Sequence, residues 1–229
     1  MLTSTEDSAA AVRSGGSRGA VAEQYQALVQ WIHSASNVPA TAAKSIGVTS
    51  CSRGAGVSSV AANLAVAAAQ AGAGRVLLLD LSSGSQPELA RRLNLSGDCG
   101  LPAALSSRDR RAAECAQQTP IDNLWLLAAS NTDLGTGVLL ENGHVHRLVR
   151  ELEAEFTFIV VDLPPTDSGL CFAAAGTLNG VLLVMDAAGT RSEAAKRAKQ
   201  RLIHANAAVL GVILNKQTRD LPTWLDARL

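Results

Sequence analysis

An α/β fold with a mostly parallel sheet and helices on both faces is predicted by three observations. Short, almost wholly apolar runs alternate with longer helical stretches along the chain. The composition is 47% hydrophobic but only 3% aromatic; Ala, Leu, Val and Gly carry the apolar load, and such small side chains let helices lie close against buried strands. A length of 229 residues predicts one large domain with a full core rather than two small ones.

Residues 1–19, rich in Ser, Gly, Thr and Ala, hold too little apolar surface to fold and are expected to be disordered. Residues 20–38 read as an N-terminal helix, with Val21, Leu28 and Ile32 roughly aligned and Tyr25 and Trp31 nearby. Pro39 then breaks the chain ahead of the main domain, expected over 39–229. There, Lys44–Ser50 reads as a strand, followed by a glycine-containing loop and a long helix from Ser58 to Ala71. Five more apolar runs of strand length follow: Arg75–Asp80, Asn123–Ala128, Phe156–Asp162, Gly180–Asp186 and Val209–Asn215. Gly137–Glu153 has helical spacing, and Pro164 and Pro165 stop the strand before them. The charged stretch Arg191–Asn206 reads as a helix whose cations form a solvated face.

Charge and cysteine usage narrow the function. Lys+Arg and Asp+Glu number 20 each, so the formal net charge is zero. No basic excess points to nucleic acid and no polybasic run to an anionic membrane, whereas a neutral chain tolerates association with a protein partner. Cys51, Cys99, Cys115 and Cys171 are scattered and form no CxxC pair. With no signal-peptide pattern at the N-terminus, the expectation is a reducing cytoplasm and free thiols. The longest apolar run, Val60–Ala73, is interrupted by Asn63 and Gln70 and is too short to span a bilayer. Membrane attachment is therefore expected only through another protein.

The informative segment is Thr49-Ser-Cys-Ser-Arg-Gly-Ala-Gly-Val-Ser-Ser59, between a strand and a helix. A phosphate-binding P-loop needs that location, because its backbone N–H groups point into a concavity and the helix N-terminus adds partial positive charge. Glycines there allow backbone shapes and close approaches that a Cβ would obstruct. The usual pattern continues with Lys for the β- and γ-phosphates and Ser or Thr for Mg²⁺. Here the residue after Gly56 is Val57, and Ser58 and Ser59 remain. Two further runs, Leu77–Asp80 and Ile159–Asp162, each deliver an Asp at a strand end, where the ligand crevice of a parallel sheet lies. Asp80, Asp162 and Ser58 are thus the candidate Mg²⁺ ligands, if Mg²⁺ binds. Gly54, Ala55, Gly56, Val57, Ser58 and Ser59 form the candidate phosphate loop, a vestigial one.

From Val21 onward the chain resembles the cytoplasmic domain of bacterial tyrosine autokinases, a group placed with the Min/Par-type P-loop ATPases. The resemblance is carried by GVTSCSRGAGVSSVAANLAVAAAQAG, VLLLD, the Gly100-Leu101 pair, FIVVDLPP, GVLLVMDAAGT and LGVILNK. It implies a P-loop NTPase-like fold, work beside a membrane polysaccharide co-polymerase in exopolysaccharide or capsule synthesis, and a tendency to homo-oligomerise; no cofactor is assigned beyond residual binding of ATP or ADP with Mg²⁺. It also implies that Asn215 either contacts the adenine base or caps its strand. The departures point away from kinase activity. The family's loop lysine falls on Val57 and the carboxylate two residues after Asp80 falls on Ser82. Of the assembly residues in the first helix Glu23 is present, but the two arginine positions hold Gln26 and Val29. The tyrosine-rich tail is absent, and Tyr25 is the one tyrosine of the chain.

The expectation is therefore a pseudokinase adaptor or regulator in exopolysaccharide biosynthesis and export, cytoplasmic and peripheral to the inner membrane through its partner. A slow or atypical ATPase or autokinase and a Min/Par-like positioning ATPase are the alternatives. Arg53 is the nearest cation to replace the lysine, but it precedes the glycines. Cys51 lies where a helix N-terminus lowers a thiol pKa, though a small core-facing residue is the preferred reading. His144 and His146, two apart on a helix, do not share a face for a metal. Trp224, next but one to Asp226, makes a poor membrane anchor.

Overall fold

The computed structural model describes residues 11–13, 18–35, 43–82, 88–93, 95, 100–101, 104, 111–128, 143–187 and 189–216. Its first elements are strand β1 (Ala11–Arg13), helix α1 (Arg18–Ala35), strand β2 (Lys44–Ser50), helix α2 (Val57–Gln70), strand β3 (Val76–Asp80) and short helix α3 (Glu88–Arg92). A 3-10 turn at Ala112–Cys115 leads to strands β4 (Gln117–Gln118) and β5 (Leu124–Leu127). Helix α4 (His144–Glu153), strand β6 (Phe158–Asp162), helix α5 (Gly169–Ala175), strand β7 (Gly180–Asp186), helix α6 (Ser192–His204) and strand β8 (Val209–Asn215) complete the described elements.

The strands form one sheet in the order β1-β8-β7-β2-β6-β3-β5-β4, parallel throughout except where β4 runs against β5. Because side chains alternate across a strand, each apolar run feeds two cores. Leu77 and Leu79 of β3, Ile159 and Val161 of β6, and Val181 and Leu183 of β7 enter one cluster with Leu148 and Leu152 of α4, Leu170 of α5 and Leu202 of α6. Val76 and Leu78, Phe158 and Val160, and Leu182 and Val184 face the opposite cluster with Tyr25, Leu28 and Ile32 of α1 and Leu64 and Ala68 of α2. Ala-rich α2 packs on the central strands because its small side chains let the backbone come close; Ala61, Ala65 and Ala68 are fully buried.

Lys44, buried at the start of β2, donates its Nζ to the His33 carbonyl at 3.0 Å. That carbonyl belongs to the last turn of α1, whose partial negative charge suits an ammonium group; burial nonetheless pushes the Lys44 pKa down.

The six strands expected from apolar runs all form, with ends within two residues of those expected. Two others carry little or no apolar signal: β1, inside the leader expected to be disordered, pairs with β8 from Ala11 opposite Val212, and β4 is two glutamines. In both cases backbone hydrogen bonding to an existing sheet edge makes the strand. The C-terminal part of the Gly137–Glu153 stretch is α4; its first residues, Pro39, Cys99 and the tail with Trp224 lie outside the described residues. Among the described residues no helix is long and apolar enough to cross a membrane.

Candidate functional site

A parallel sheet brings all its strand C-terminal ends to one edge, so β2, β3, β6 and β8 deliver their last residues to the same crevice. The register is tight there: Asp80 of β3 stands directly opposite Asp162 of β6, and Val48 of β2 opposite Asp162 on its other side. A cleft of about 440 Å³ opens at this edge.

The loop between β2 and α2 forms its wall. Gly54 and Gly56 both adopt left-handed backbone, φ 83° and 89°, and Gly56 caps the helix with its carbonyl accepting from Val60 N at 3.0 Å. A Cβ on Gly56 would also run into the Asn215 side-chain amide. That amide is already committed, for Asn215 Nδ2 donates to the Ala55 carbonyl at 2.9 Å. This bond ties the end of β8 to the crown of the loop. Ala55 is buried beneath it. Gly56→Ala should therefore cost about 1–3 kcal/mol, read as a lower urea midpoint; an unchanged midpoint would mean the loop relaxes freely.

Val57 is the first residue of α2, lines the cleft and packs partly on the apolar cluster beneath the helix. Ser58 and Ser59 follow in the first turn and also face the cleft. Arg53 lines the rim from the loop. No sequence pattern singles out Arg92, the last residue of α3, whose Nη1 donates to Ser59 Oγ at 3.2 Å. It lies 33 positions away along the chain, and only the packing of α3 against the start of α2 brings it in.

The floor is a pair of carboxylates. Asp80 and Asp162 are both fully buried. Ser82, read from the sequence only as a lost carboxylate, joins them. Its backbone N–H donates to Asp80 Oδ1 at 3.0 Å, while its hydroxyl lies 2.8 Å from Asp162 Oδ2 and 3.2 Å from Asp80 Oδ1. A hydroxyl has one proton to give, so it cannot satisfy both acids fully when both are ionised. Burial first, then the neighbouring Asp80 charge, pushes the Asp162 pKa up to about 7, against the opposing pull of the Ser58 and Ser82 hydroxyls. Although Ser58 lies beside the carboxylate, Asp162 Oδ1 has no hydrogen-bond partner. An orphaned buried acceptor facing a cleft fits a cation or a donated proton.

These residues fit part of a Mg²⁺–nucleotide. The glycine loop and helix start fit a phosphate, and Ser58 with the two acids fits a hard cation. The apolar group at position 57 does not fit the terminal phosphate of a triphosphate. Among the described residues, no group of three His, Cys, Asp or Glu side chains gathers at a metal-binding distance. Cys51 is half-buried, packs against the core, and has its pKa raised by burial. Desolvation there outweighs the lowering by a backbone hydrogen bond, which accords with the reading of Cys51 as a small core-facing residue.

Comparison with known proteins agrees with this geometry. Residues 43–216 match the family model of the cellulose biosynthesis protein BcsQ. The tyrosine-protein kinase YwqD of Bacillus subtilis is 30% identical over 178 residues, 75% of this chain and 72% of the relative. In fold, the chimerical protein CapA2B2 superposes with a TM-score of 0.75 at 24% identity, covering 91% of this chain and 93% of that one. The septum site-determining protein MinD of Pyrococcus horikoshii OT3, solved with Mg-ADP, superposes at 0.62 with 21% identity, covering 81% and 76%. With three quarters of its length inside the family model, the chain belongs to the family of the cellulose biosynthesis protein BcsQ.

Proposed function

We propose that this chain is a degenerate kinase-like adaptor, a pseudokinase that regulates exopolysaccharide biosynthesis and export without fast phosphoryl transfer. The observation that carries the reading is Val57, an apolar side chain at the first helical position of the cleft wall. Membership in a cellulose biosynthesis family and likeness to a tyrosine-protein kinase support the polysaccharide setting. A membrane polysaccharide co-polymerase is the proposed partner, and the cytoplasmic face of the inner membrane the proposed location, reached through that partner.

The chemistry favours binding over turnover. Were a Mg²⁺–nucleotide to enter, the backbone N–H groups of residues 54–59 would cradle phosphate, and Ser58, Asp80 and Asp162 would hold the cation. Mg²⁺ supplies charge neutralisation on the phosphate oxygens. Loss of a single transition-state donor costs on the order of 10²–10³ in rate, and position 57 has lost one. The autokinase alternative also needs an acceptor. Tyr25, the one tyrosine of the chain, is 3% exposed, and burial raises its pKa.

Incubation with Mg-ATP, read by phosphate release and by mass spectrometry of the Tyr25 peptide, tests the reading. The expected result is background hydrolysis and an unmodified Tyr25. Brisk turnover or stoichiometric phosphotyrosine would replace the adaptor reading with the enzyme one.

A further inference from the structure

We propose that the outer face of α6, flanked by Phe172 of α5, is a docking surface for an anionic lipid bilayer, so that the chain touches the membrane directly as well as through its proposed partner. This goes beyond the adaptor reading and does not depend on it.

Unpaired charge gathers on this one helix. α6 sends Ala198 and Leu202 into the core and turns Lys196, Arg197, Lys199, Arg201, Ile203 and His204 outward. Helical spacing puts Lys196, Lys199 and Ile203 along one flank, and Arg197, Arg201 and His204 along the other. Glu193 is the one acid of the helix, and it pairs with Lys196 at 3.5 Å. Among the described residues no carboxylate pairs with Arg197, Lys199 or Arg201. By contrast, Arg75 and Arg111 share Glu155, Arg150 meets Glu153, and Lys216 meets Asp186. The zero net charge of the whole chain conceals a locally cationic face.

Exposed apolar groups at the same place single out lipid. Phe172 and Ile203 are the exposed large hydrophobics among the described residues, at 52% and 53%. Helices α5 and α6 converge at their C-terminal ends, where a Cβ on Gly176 would strike the Ala205 carbonyl. Phe172 stands one turn before Gly176, and Ile203 two residues before Ala205. Anionic headgroups attract cations at the bilayer surface, and apolar side chains beside those cations gain by entering the headgroup–acyl boundary. Duplex nucleic acid would use the cations and leave Phe172 and Ile203 in water. No described residue of α5 or α6 lines the cleft, so the two surfaces are separate.

Sedimentation of the full chain with protein-free vesicles tests this, with phosphatidylcholine alone and with about one-third phosphatidylglycerol added. The chain should bind the anionic vesicles and not the neutral ones, and about 0.5 M salt should weaken binding at least tenfold. Arg197→Gln, Lys199→Gln and Arg201→Gln together should weaken it on the order of 100-fold, about fivefold per cation. Phe172→Ser should cost about tenfold. These four side chains are exposed, and matching thermal midpoints would show that the fold is kept; if the triple variant melts early, Phe172→Ser and Ile203→Ser decide. No binding to anionic vesicles, equal binding to neutral ones, or full binding by the triple variant would each overturn the proposal. Tighter binding to duplex DNA than to the vesicles would also overturn it and assign the cations to nucleic acid. Because the vesicles hold no protein, failure here leaves the adaptor reading standing, whereas brisk ATP hydrolysis would sink that reading without touching this one.

Discussion

Val57→Lys is expected to tighten Mg-ATP binding by about 10- to 100-fold, the equivalent of one charge-assisted hydrogen bond. The rest of the wall is in place: left-handed Gly54 and Gly56, the α2 N-terminus, and Ser58 on the cleft. A lysine at the first helical position can project into the cleft that Val57 already lines, and its stem can retain much of the valine's packing. The cost to folding should stay near 1 kcal/mol, because Val57 is only partly buried. Isothermal titration of both proteins with Mg-ATP reads the gain, and ATP should gain more than ADP. Equal affinities would show that the loop amides do not converge on a phosphate, and the cradle would lose its meaning as a vestigial binding site.

Asp162→Asn should change how stability depends on pH more than any other single substitution at the site. The folded pKa of Asp162, about 7, lies above its unfolded value near 3.8. Between those two values the folded chain holds more protons at this position than the unfolded chain. Stability therefore falls as pH rises through that window and levels off above it. The full difference corresponds to roughly 4 kcal/mol, an upper figure because Asp80 and Ser82 share the proton network. Asparagine cannot ionise, so the variant should be more stable than the parent at pH 8 and near parity at pH 4. Urea melts at the two pH values measure this. A parent whose stability does not decline between pH 4 and pH 7, with an Asp162→Asn profile parallel to it, would contradict the buried-acid account. Among the described residues, Asp80, Ser58 and Ser82 are the groups that shift the Asp162 pKa beyond burial, and none of these three offers a countercharge.

The architecture was legible because burial on both faces leaves a plain mark. Runs such as Val76–Asp80 and Gly180–Asp186 are apolar without alternation, and each became a central strand feeding two cores. The loop and both acids were legible for a related reason: special backbone demands glycine, and strand ends of a parallel sheet meet at one edge. What sequence could not show was side-chain reach between distant segments. Arg92 reads as one more surface cation on a short helix until packing carries it to Ser59. Asn215 reads as a strand end until its amide is seen on the Ala55 carbonyl. Ser82 reads as a deletion of charge, yet it bridges the two acids that remain. The edge strands β1 and β4 were invisible because backbone pairing, which any residue but proline can join, formed them.

The short β1 has a protective consequence. It covers the outer side of β8, whose VLGVILN sequence is rich in β-branched and aliphatic residues and carries no charge. Stripped of that three-residue cover, β8 would present open backbone donors and acceptors along a greasy rim, the kind of surface on which a second molecule adds its own strand. Ala11–Arg13 thus shield part of that edge from self-templated strand addition in a chain that has no net charge to hold its copies apart.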